Sequence, residues 1–192
     1  MRPVALAHAS RLINHGPTVL VGAAHGGRRN LMAAAWSMPV EFEPPRVVVV
    51  LDKSTFTREL VLAAGHFGLS VPGRHQADLV YTLGSESGRD DDKFARHGLD
   101  AEAGPVLGLP QLAGCVAHLE CRLFEEPHAQ AAYDCFFGEV VSAVADERIF
   151  KDGHWLPPTA GNADLHTLHH FGAGLFGVVT ETVQARKLAP VG

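Results

Sequence analysis

The chain is 192 residues long, 46% hydrophobic and 19% charged, enough apolar side chain for one well-buried core in a single domain. Its net charge of −5, with no basic stripe interleaved with aromatics, argues against nucleic acid or an acidic membrane surface as a partner. No apolar run reaches the length of a bilayer span, and residues 1–14 lack the apolar centre of a secretory signal, so a cytoplasmic location is expected.

The first informative stretch is residues 17–24, PTVLVGAA, which meets His25-Gly26-Gly27-Arg28-Arg29 before a second apolar arm over residues 30–40. Two such arms around a Gly-Gly turn predict a β-hairpin. In the second arm, Ala33, Ala34 and Ala35 precede Trp36. Side chains this small let a flat ligand approach the backbone, and a tightly packed sheet would ask for the same residues. Pro39, Pro44 and Pro45 bracket a connection, since proline lacks the donor that a central strand needs.

Residues 46–51, RVVVVL, are too short a run for a free-standing helix and predict a strand buried on both faces. Residues 52–58, DKSTFTR, then place hydroxyls and two cations where a helix begins. That helix should run through residues 59–64 and stop at Gly65. A helix start exposes unpaired N–H groups and the positive end of the helix dipole, which favour a phosphate, and Lys53 or Arg58 would add charge-assisted contacts. Alternatively Ser54 or Thr55 is an ordinary N-cap with both cations solvated, and Asp52 opposes an anion unless it points away.

Residues 66–71 resume an extended pattern that Pro72 ends, and residues 76–83 and 90–96 predict helices, the second leaving at Gly98. Asp90, Asp91 and Asp92 suit a solvated first turn better than a metal, because neighbouring carboxylates on a helix diverge. After a loop at residues 105–110, two long extended stretches, 114–125 and 132–144, flank a turn containing Pro127 and predict an antiparallel pair. Long strands joined locally favour a Greek-key or meander barrel over a doubly wound sheet. Cys115 and Cys121 would lie about 20 Å apart on one strand, too far to bridge. With Cys135 they read as buried structural thiols. A turn at residues 151–155 and a last strand at 176–180 close the chain.

His166 and His170 would share one helix face at the i, i+4 spacing of zinc proteases, but Thr167 stands where the general-base Glu belongs. A metal-dependent hydrolase built on these histidines is therefore kept only as an alternative. There is no nucleophile elbow, Walker A loop or dinucleotide fingerprint.

In these segments the chain resembles the flavin reductase-like proteins of the FMN-binding split-barrel fold, especially the flavoredoxin-like branch. The order and spacing of PTVLVGAAHGGRRN, NLMAAAW followed by Pro44-Pro45, STFTREL, HFGLSVP, SGRDDDKF and FFGEVV carry the resemblance. It implies a mainly β fold with peripheral helices, a six-stranded antiparallel Greek-key barrel, acting as a homodimer that binds FMN. It places the phosphate near Lys53, Ser54, Thr55, Thr57 and Arg58 and lays Met32, Ala33, Ala35, Trp36, Ser37 and Met38 along the isoalloxazine. Ser87, Gly88 and Lys93 approach the cofactor, Asn30 and Asp52 belong to the same binding set, and His169, His170 or Phe171 complete the pocket across the dimer contact.

Family members commonly carry Thr where this chain has Ala33 and Asn where it has Ser70, with Ser37 as a compensating hydroxyl. The resemblance also implies NAD(P)H as hydride donor to the flavin, which passes electrons on or leaves to serve a partner monooxygenase. A non-enzymatic flavoredoxin-type carrier, reduced by an electron-transfer protein, is the alternative. In both, the isoalloxazine carries the redox chemistry and no catalytic side chain is required.

Overall fold

The structure, a computed structural model, describes residues 1–188. Gly26 and Gly27 take φ of 58° and 78°, the left-handed conformation that a two-residue hairpin turn needs, and join β2 (Val19–His25) to β3 (Arg28–Ala34). The second arm is shorter than its composition predicts. The chain breaks at Ala35-Trp36 and begins β4 (Ser37–Phe42), which pairs with β5 (Pro45–Val50) and not with β2. Because β4 is an edge strand, Pro39 is tolerated within it, and the expected connection narrows to Glu43 and Pro44.

Only one face of β5 is buried: Val47 and Val49 are fully enclosed, while Arg46, Val48 and Val50 are half-exposed. The expectation of two buried faces fails because the core lies on one side of this strand. α1 (Phe56–Ala64) starts at Thr55 and stops at a left-handed Gly65, as predicted. β6 (His66–Val71) follows, then α2 (Ala77–Ser85) after a 3-10 turn at Arg74–Gln76. α3 (Lys93–His97) is shorter than residues 90–96. Asp92 is its N-cap, accepting from the Phe94 N–H at 2.9 Å, and Asp90 and Asp91 lie in the loop before it.

β7 (Ala101–Ala103) and β8 (Pro110–Leu112) form a small hairpin ahead of β9 (Ala117–Phe124) and β10 (Cys135–Ala145), which pair antiparallel as expected. The segment between them is a helix and not a turn: α4 (Pro127–Tyr133) begins with its proline in the first turn, where a missing N–H costs no bond. Cys115 falls before β9, so the two thiols do not share a strand. Both are buried and unpaired. Two short hairpins follow, β11 (Phe150–Lys151) with β12 (His154–Trp155) and β13 (Leu168–Gly172) with β14 (Leu175–Val178).

The main sheet runs β3-β2-β6-β9-β10-β5-β4, antiparallel throughout, with β1 (Arg2–Pro3) added on β10. Its ends, β3 and β4, do not pair with each other. Val21, Val49, Leu69, Leu119 and Phe136 from five of these strands enter one core, so the sheet must wrap around it as a split barrel. Each such side chain contributes on the order of 1.5–3 kcal/mol by leaving water. A Cβ on Gly138 would stand 2.6 Å from the Phe67 ring, so glycine lets that ring cross β10 closely. A second cluster, including Leu20, Leu31, Val80, Leu83 and Phe94, fastens α2 and α3 to the outer face of β2 and β3. That docking leaves a groove between α2 and β3.

Candidate functional site

Where α2 lies over β3, two cavities of about 200 and 210 Å³ open side by side and share Ala33, Gly84 and Ser85. Neither alone reaches the roughly 300 Å³ common among cofactor sites, but joined they do. Small residues make the junction: a Cβ on Gly84 would stand only 3.0 Å from that of Ala33. The result is one groove with a polar end at α1 and an apolar end at the β13–β14 hairpin.

At the polar end, Ser54, Thr55, Phe56 and Thr57 present the start of α1. Thr55 holds the N-cap position, yet no side chain caps the helix. The Thr55 hydroxyl donates to the Asp52 carbonyl at 2.8 Å and the Ser54 hydroxyl to Asp52 Oδ1 at 2.6 Å. The first N–H groups of α1 thus remain available, which decides against the ordinary N-cap. Asp52 also accepts the Ser54 N–H, and the Ser54 hydrogen bonds hold its carboxyl below the usual range. It is turned into its own loop and does not line the groove.

Lys53 and Arg58 do not line the groove either. Lys53 is 64% exposed, 3.9 Å from Asp134, while Arg58 donates to the carbonyls of Leu51 and Gln130 and pairs with Asp134. These cations serve to tie α1 to the end of α4, a helix that the composition of its segment did not suggest.

Behind the helix start, the Asn30 amide donates to the Thr57 hydroxyl oxygen at 2.9 Å, both residues being buried. Asn30 Oδ1 has no partner among the described residues, and Gly88 approaches so closely that a Cβ there would stand 2.2 Å from that oxygen. A buried acceptor left without a donor costs about 1–3 kcal/mol, so at a cavity wall it favours a ligand hydroxyl. Lys93 is fully buried beside it and donates to the carbonyls of Leu83 at 2.8 Å and Leu31 at 3.1 Å. Burial pulls its pKa down to about 8. Met32 and Ser87 complete this end.

The apolar end is lined by Thr18, Ala33, Ala35, Tyr81, His170 and Phe176, among others. The Thr18 N–H donates to the Leu168 carbonyl at 2.7 Å, which seats β13 against β2 and brings His170 to the groove. Phe171 is 70% exposed and stays outside. His169 faces a different group, 3.3 Å from the Thr167 hydroxyl, which in turn meets His15. Trp36, 74% exposed, and Met38 also lie outside, because the chain turns away after Ala35. Ser37 Oγ is buried without a partner and lines neither cavity, so it does not replace a hydroxyl at Ala33. Ser70 bonds His118 Nδ1 at 2.8 Å and braces β6 on β9 away from the groove.

The C-terminal histidines do not share a helix face, since residues 168–172 are β13 and His166 turns to Asn162 Oδ1 at 3.3 Å. Among the described residues no three His, Cys, Asp or Glu side chains are arranged to hold a metal. The structure also brings in Thr18, Phe56, Tyr81, Gly84, Ser85 and Phe176, which the sequence did not mark. Gly84 and Ser85, two small residues ending a helix, were the one local signal available.

Residues 11–159 match the family model described as flavin reductase like domain. YddH of Escherichia coli (strain K12), itself uncharacterized, is 54% identical over 91% of this chain and 92% of its own length. The crystal structure of an FMN-binding domain of a flavin reductases-like enzyme from Shewanella baltica OS155 is 42% identical, with a TM-score of 0.90 over 96% of each chain. Flavoredoxin of Desulfovibrio vulgaris (Miyazaki F) is 26% identical, with a TM-score of 0.76 over 88% of this chain and 90% of its own.

Proposed function

The chain belongs to the flavin reductase like domain family, and on that premise we propose that it binds FMN and acts as an oxidoreductase with NADH or NADPH as electron donor. The uncapped start of α1, at one end of a groove floored by alanines at the other, carries this reading. Helix N–H groups suit a phosphate. The Thr57 oxygen already accepts from Asn30, which leaves its hydroxyl proton to donate, and Asn30 Oδ1 suits a ribityl hydroxyl. Met32, Ala33, Ala35 and Gly84 leave room for a flat ring, and Ser87, Gly88 and Lys93 close the polar end.

When bound, FMN supplies the hydride and single-electron chemistry of its isoalloxazine. The residues of the chain bind, orient and partly enclose it, and none is needed as a catalytic acid or base. The electron acceptor would be a partner, a monooxygenase or an electron-transfer protein. We also propose a homodimer, which would cover Trp36, Met38, Val40 and Phe42, an apolar row left exposed on and beside edge strand β4.

Similarity to the Desulfovibrio flavoredoxin favours a second reading, a carrier reduced by a protein partner. Stopped-flow mixing of the FMN-loaded protein with NADH and NADPH separates the two. Bleaching of the flavin absorbance supports the reductase, and no bleaching by either leaves the carrier. A protein that takes up no FMN removes both.

A further inference from the structure

Arg89 lines neither cavity of the groove, yet it joins the two loops that close the polar end. Its Nη2 donates to the Ser54 carbonyl at 3.0 Å and its Nη1 to Glu59 Oε1 at 2.5 Å. Its own N–H donates to the Ser87 hydroxyl at 3.2 Å, and its carbonyl accepts from Arg28. The Phe56 ring lies beneath both guanidinium groups, 4.0 Å from that of Arg28 and 5.8 Å from that of Arg89. Ser54 and Ser87, both lining the polar cavity, are thereby cross-linked from loops distant in sequence.

We propose that Arg89 is a positioning residue whose bridge to Ser54 and Glu59 holds the helix start in place, and so sets the preference of the site for a phosphorylated flavin over an unphosphorylated one. This rests on the FMN reading above. A planar guanidinium can bridge a carbonyl and a carboxylate at once, which a lysine ammonium does less well. The ion pair is half-exposed, and such pairs contribute little to stability. Its value lies in pre-organising the Ser54 peptide that leads into the N-cap, which spares a ligand the cost of ordering it.

The test is a fluorescence titration of FMN and of riboflavin with the full chain and its Arg89→Lys, Arg89→Met and Glu59→Met variants. FMN affinity should fall roughly three- to tenfold in all three, the worth of about one hydrogen bond, while riboflavin affinity moves less than about twofold. Wild-type FMN affinity in Arg89→Lys would show that charge alone matters and overturn the proposal. Equal losses for both flavins would overturn it too, by showing general damage to the loop. Should the Arg89 variants not fold, Glu59→Met breaks the same bridge with the arginine in place. If the wild-type protein binds neither flavin, the FMN reading and the bridge fall together; if it prefers FMN and the variants still do, only the bridge falls.

Discussion

At the polar end of the groove, Asn30 and Thr57 are buried and hydrogen-bonded to each other, with Lys93 buried against two backbone carbonyls. At the apolar end, Ala33, Ala35 and Gly84 contribute mainly their lack of bulk. The first end works through atoms held in place and the second through atoms left out. Removing atoms should therefore harm the first, and adding atoms the second.

The largest effect expected at the polar end is a dependence of stability on pH. Folded Lys93 titrates at about 8 against 10.5 ordinarily, so between those values the unfolded chain binds a proton that the folded chain has lost. The Lys93 contribution to stability should then rise with pH across that window, by on the order of 3 kcal/mol, and be flat below it, while Cys115 and Cys121, whose thiols burial holds protonated, oppose it above their ordinary value of 9.0. Urea unfolding of the wild type and of Lys93→Met between pH 7 and 10.5 reads this as the difference between the two curves, in which the thiols cancel and the wild type gains on the variant as pH rises. A difference between the two curves that stays constant across the window would mean that the ammonium is not buried as the structure places it.

At the apolar end, Gly84→Val adds bulk where the two cavities join. It should weaken both FMN and riboflavin by roughly a hundredfold while far-UV circular dichroism stays unchanged, at the upper end of overpacking costs. Retained affinity would show that the cavities are not one site. Thr57→Ala removes one hydroxyl and leaves the Asn30 amide without an acceptor, so FMN affinity should drop by about 1 kcal/mol in a titration. A loss shared in full by riboflavin would place the hydroxyl away from the phosphate. Lys53→Ala should change FMN affinity by less than about 0.5 kcal/mol, since among the described residues its exposed ammonium pairs with Asp134 alone, 3.9 Å away. A tenfold loss would restore it to the site and break the comparison.

Much of the polar end is legible before folding because its signals are local. Hydroxyls at Ser54, Thr55 and Thr57 and the stop at Gly65 mark a helix within a few residues of themselves. The roles of Lys53 and Arg58 are not legible, because their partner Asp134 sits at a left-handed position past α4, some 76 residues from Arg58. Histidine spacing at residues 166–170 fits a helix or a strand equally. The choice fell to strand through the turn at Gly172, Ala173 and Gly174, which carries β13 back along β14. The resemblance lays Trp36 and Met38 along the isoalloxazine, and the structure turns them away because the chain breaks after Ala35 for β4 to pair with β5, a pairing that no residue near Trp36 announces.

The hairpin turn at Gly26-Gly27, the start and stop of α1, the long β9–β10 pair and the mainly β class can all be read from the order of residues. Each follows from backbone preferences and periodicities that act over a few residues. Which side chains share the groove was fixed by long-range packing. It set Gly84 against Ala33, left Asn30 Oδ1 without a donor, and brought Arg89 across to Ser54. Those contacts join residues tens of positions apart, and the burial that enforces them exists only once α2 and α3 have docked on the outer face of β2 and β3.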